Sequence, residues 1–153
     1  FVPEDLGWLT TVYVAETDEQ AQAEALEHLL YFSGTLSAGF VGAGKVWMPP
    51  GYIDAPQLVQ FLDDLRGQAA GGSGTDRRKA LLARYPLVGS VDTVRERLLE
   101  LVTQLDLGTI LALLQFGSLP ADPTRRNIDL YASEVVPWVR KRAEAHFVSK
   151  GLR

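Results

Sequence analysis

The feature that most constrains what this chain can fold into is the alternation of apolar runs and helically spaced segments from Tyr85 to Trp138. Tyr85-Pro86-Leu87-Val88-Gly89-Ser90 is a short apolar run stopped by a small-residue turn. Val91, Val94, Leu98, Leu101, Val102 and Leu105 then recur at helical intervals, with Arg95, Glu96, Arg97 and Glu100 mainly on the other side, which predicts an amphipathic helix over 91–105. Ser90 is placed to cap it, and the free N–H groups at that end could receive an anion. Leu107 to Phe116 is almost wholly apolar, with Gly108 predicted to turn the chain into a strand over 109–115 that is buried on both faces. Asp122 and Pro123 supply an expected cap and first-turn proline for a helix over 124–138, with Ile128, Tyr131, Val135 and Trp138 inward. Pro137 is expected to bend its last turn, and Arg140-Lys141-Arg142 to form a solvated terminus. A parallel strand needs a crossover to bring the chain back, so this alternation predicts an α/β fold with chemistry at the carboxyl ends of the strands. Those ends are Gly89-Ser90 and Gln115-Phe116-Gly117.

The residues before this stretch repeat the pattern once. Trp8 to Ala15 is rich in β-branched and aromatic residues and predicts a buried strand. Thr17 and Gln20 form a candidate capping box for a helix reaching about Phe32, with Ala21, Ala25, Leu29 and Phe32 on one face and His28 beside it in a structural role. The glycine-rich run from Ser33 cannot sustain one rigid helix. Trp47-Met48-Pro49-Pro50-Gly51-Tyr52 follows as an extended segment whose aromatics could line a pocket or anchor the connection. A short helix is expected from Asp54 to Leu65. Residues 67–76 read as a mobile linker or lid, because they lack the Gly-Lys-Ser/Thr ending of a phosphate loop and follow no strand. Asp76 to Tyr85 reads as a basic approach to the key stretch that could be helical.

Composition removes several function classes. With 153 residues the chain suffices for one compact domain, 1–153, and its 46% hydrophobic content can fill a core. A formal charge of −4 without a basic cluster argues against a nucleic-acid surface. The absence of cysteine excludes disulfides, thiolate metal sites and a cysteine nucleophile, and two histidines, His28 and His146, are too few for a histidine-rich zinc site. No apolar run approaches the roughly 20 residues of a membrane span, and no signal peptide opens the sequence, so a cytoplasmic location is the expectation. The sequence opens at Phe1 rather than Met, which leaves open that it is a piece of something longer.

Leu87-Val88-Gly89-Ser90-Val91-Asp92-Thr93-Val94 resembles the Val-Gly-Thr/Ser-x-x-x-Val helix start of the luciferase-like flavin-dependent monooxygenases. Gln115-Phe116-Gly117-Ser118-Leu119-Pro120 is similar to the glycine loop after that family's last strand, and Tyr131-Ala132-Ser133-Glu134-Val135-Val136-Pro137 to its closing helix. Val12 to Ala21 and Pro49 to Tyr52 resemble two earlier family segments, in the expected order. The resemblance implies the carboxyl-terminal part, about three βα units, of a TIM (β/α)8 barrel that oxidises an organic substrate with molecular oxygen and reduced FMN delivered by a flavin reductase. Hydride transfer with the deazaflavin F420 is the alternative within the superfamily. It implies residues 67–76 as the lid. With strand-end geometry it suggests Gly89, Ser90, Gln115, Phe116 and Gly117 as cofactor-binding positions, and more weakly Trp47, Met48 and Tyr52 as lining the substrate pocket. No catalytic residue transfers. A barrel needs about 250 residues, so the missing strands would come from upstream chain or another subunit, a homo-oligomer being one such arrangement. The competing expectations are a non-catalytic, barrel-derived interaction module and a phosphate-binding protein using the Ser90 helix start.

Overall fold

The computed structural model describes residues 6–36 and 74–151. Strands β1 (Gly7–Thr11) and β2 (Tyr13–Ala15) lead into helix α1 (Asp18–Leu30), which ends in a π-helical turn, Tyr31–Leu36. Helix α2 (Gly74–Ala83), strand β3 (Val88–Ser90), helix α3 (Val91–Leu105) and strand β4 (Thr109–Leu113) follow. Helix α4 (Ala121–Leu130), a second π-helical turn (Tyr131–Val135) and helix α5 (Val136–Lys150) complete the described chain. Among the described residues all strand pairing is parallel, as the crossover argument requires: β1 with β4, and β2 with β3.

β1 and β2 are one strand that changes neighbours at Val12. The Val12 N–H donates to the Leu113 carbonyl at 3.1 Å, whereas the Tyr13 N–H donates to the Leu87 carbonyl at 2.9 Å. Successive residues of a strand present their backbone groups to opposite edges, so β4 and β3 flank the first strand on opposite sides. The first strand is therefore central. Consecutive units of a barrel would instead put the second strand between the first and the third.

Side chains alternate across this central strand into two cores. Val12 and Val14 join Leu87, Val94, Leu98, Val102, Val135 and Val139 on the side of α3 and α5. Tyr13 and Ala15 join Ala21, Ala25, Leu29, Leu81, Val88 and Phe116 on the side of α1 and α2. Helices thus cover both faces of the sheet at this level, whereas a (β/α)8 barrel carries its helices on the outer face alone. The Ala21, Ala25 and Leu29 stripe and the 91–105 helix with its Ser90 cap are as the periodicity predicts.

Several local expectations are corrected. β4 is not buried on both faces: among the described residues it pairs on one side only, and Leu111 is 55% exposed. The chain turns into β4 through Asp106, which caps α3 in the left-handed region at φ 49°, rather than through Gly108; aspartate is one of the few side chains that tolerates this conformation. The cap of α4 is Pro120, without a side-chain bond, and Asp122 lies in the first turn, where it pairs with Arg125 at 2.8 Å. The helix does not stop near Trp138 but continues to Lys150, since the π-helical turn immediately before Pro137 lets a residue without an N–H enter as the start of α5. Arg140, Lys141 and Arg142 consequently lie inside α5, and Arg142 stacks on the Trp138 ring at 3.6 Å instead of capping a terminus. The predicted inward residue Ile128 is 41% exposed, and its neighbour Asn127 is fully buried. Residues 37–73, which hold the expected 54–65 helix and most of the expected lid, lie outside the described residues; Gly74 to Asp76 open α2.

Candidate functional site

The carboxyl ends of β2 and β3 meet at Gly89-Ser90. The Ser90 N–H donates to Asp18 Oδ1 at 2.6 Å, the Thr93 hydroxyl donates to Asp18 Oδ2 at 2.9 Å, and the Ser90 hydroxyl bonds Thr93 at 3.1 Å while accepting the Thr93 N–H at 3.3 Å. Asp18 is the first residue of α1, so the turn between β2 and α1 delivers a carboxylate to the amino-terminal end of α3, where the helix dipole favours negative charge. The Ser90 N–H holds the Asp18 carboxyl below its usual range, opposed by partial burial and assisted by the Thr93 and Ser90 hydroxyls. Gly89 makes the approach possible: a Cβ there would stand 2.7 Å from Asp18 Oδ1 and 2.9 Å from Thr93 Cγ2.

A second cluster lies one helical turn and more along α1. Glu24 accepts from the Tyr13 hydroxyl at 2.6 Å, from Gln20 Nε2 at 3.0 Å and from Arg126, uniting β2, α1 and α4. Burial, followed by the hydrogen bond to Glu24, pushes the Tyr13 hydroxyl up to about 12, so it stays a donor at neutral pH. Burial works to raise the Glu24 carboxyl, but the hydrogen bonds from Tyr13, Gln20 and Arg126 outweigh it and hold the group low. Gln20 donates its backbone N–H to Thr17 as a capping box requires, yet its side chain turns to Glu24, so the reciprocal half of the box is not made.

The loop after β4 forms a third group. Phe116 is buried with its ring edge-on to Tyr13, centroids 6.1 Å apart. Gly117, at φ 55°, passes so close to α1 that a Cβ would lie 2.5 Å from the His28 carbonyl oxygen. The His28 ring Nδ1 and the Ser118 hydroxyl are 2.9 Å apart, and Gln115 Nε2 donates weakly to the Gly117 carbonyl at 3.4 Å.

The five described cofactor candidates therefore fall into two groups. Ser90 is level with Ala15, whereas Leu113 is level with Thr11, four residues back along the same strand. At about 3.3 Å per residue the two strand ends are staggered by roughly 13 Å. Phe116 is a core ring, and the Ser90 N–H and hydroxyl are engaged by Asp18 and Thr93. Trp47, Met48 and Tyr52 lie outside the described residues.

The residue that closes the stagger is Asn127, which the sequence reading passed over. Where β4 leaves the central strand, the Asn127 Oδ1 accepts the Val14 N–H at 2.8 Å, and its Nδ2 donates to the Val12 and Leu114 carbonyls, each at 2.9 Å. One side chain thus supplies the bonds that a longer β4 would have made. Its spacing of four from Tyr131 and eight from Val135 places it on their helical stripe, and that was the available signal.

Among the described residues no group of three histidine, aspartate or glutamate side chains could hold a metal ion, and no helix is long and apolar enough to cross a membrane. No protein-family model, curated protein or solved structure matches this chain.

Proposed function

We propose that this chain supplies strand–helix units to a luciferase-like, flavin-dependent monooxygenase acting on a small organic substrate. The observation that carries this reading is the ordered set of motifs, with the Val88-Gly89-Ser90 strand running directly into a serine-capped helix and a second parallel strand followed by the Gly117 turn. In such an enzyme the reduced flavin supplies the chemistry of oxygen activation. The residues at Ser90 do not suit the phosphate end of FMN or F420, because the Asp18 carboxylate already takes the Ser90 N–H and brings its own negative charge. In this reading Gly89, Ser90, Asp18 and Thr93 fix the meeting point of β2, β3 and α3, and the cofactor phosphate is held elsewhere. The further strands of the barrel come, in this reading, from upstream chain or another subunit, and a separate reductase delivers the reduced flavin.

Fluorescence titration of FMN and of F420 against the 153-residue chain, and against any longer chain that contains it, tests the proposal. Saturable quenching is expected in the complete barrel. A longer chain with no affinity for either cofactor would sink it.

A second reading is favoured by a specific observation. Among the described residues the sheet has helices on both faces around β2, polar groups at its strand ends that bond to one another, and an apolar β4 that pairs on one side. These features support the reading as a non-catalytic interaction module, and failure of flavin binding together with a defined assembly would select it.

A further inference from the structure

We draw no further inference here: the strongest candidate, the His28 and Ser118 side-chain pair where the loop after β4 meets the last turn of α1, belongs to the loop cluster already described, and among the described residues no carboxylate bonds the ring to make it a base.

Discussion

The central strand has two halves that differ in almost everything except composition. From Val12 to Ala15 every residue is fully buried, with helices on both sides, β3 on one edge and Asn127 on the other. From Gly7 to Thr11 the strand has β4 on one edge, and Trp8 and Leu9 are exposed. Both halves are rich in residues that favour strands. The contrast shows that β-propensity made the strand but did not decide what covers it; that depended on where α1, α3 and α5 reach.

The largest expected effect comes from removing the clamp in the covered half. Asn127→Leu strips three hydrogen bonds from buried backbone groups and leaves the Val14 N–H without an acceptor. A loss of about 3 kcal/mol or more in urea unfolding is expected. A loss below about 1 kcal/mol would mean that the two halves are not distinguished by this residue.

A smaller effect is expected at the strand ends. Asp18→Asn keeps the shape but weakens the contacts with Ser90 and Thr93, at a cost of about 1 kcal/mol at neutral pH. The folded Asp18 carboxyl is held low by the Ser90 N–H, so its pKa lies beneath the unfolded value of about 3.9. The unfolded chain therefore takes up the proton first as pH falls. The stabilisation is present above that unfolded value and is lost as pH drops through the folded pKa. Unfolding measured between neutral and acidic pH should show a shallower acid loss in the variant. It should not vanish, because Glu24 and Asp106 are also held low. An unchanged acid limb would remove Asp18 from the stabilising set.

The smallest effect belongs to the uncovered half. Leu9→Thr, measured at dilution, is expected to shift unfolding by less than about 0.5 kcal/mol, because most of the side chain already meets solvent. A larger loss would show that something packs on this half after all, and would erase the contrast.

Much of the local structure was legible in the residues. Val94, Leu98 and Val102 lie on one helical face whatever surrounds them, and Ser90 and Thr17 cap because a side-chain oxygen at that position reaches the free N–H groups of the first turn. The candidate site was legible only in part. The turn expected at Gly117 is present, at φ 55°, whereas Gly89 lies in β3 rather than in a turn, and the groups these glycines approach, the Asp18 carboxylate and the His28 carbonyl, come from a helix far away in the sequence. Ile128 is expected inward because apolarity ordinarily marks the buried side, whereas backbone groups exposed by the end of β4 required an amide at the preceding position, Asn127.

By itself, the order of residues determined the elements: parallel strands, the helices that follow them, and the caps and breaks between them, since these depend on periodicity and on contacts within a few positions. Tertiary structure alone decided that the first strand is central, that its two halves take different neighbours, and that Asp18 rather than an outside anion meets Ser90. Those outcomes depend on backbone groups finding partners across long separations, and a buried N–H or C=O left alone costs too much for the chain to leave the choice open.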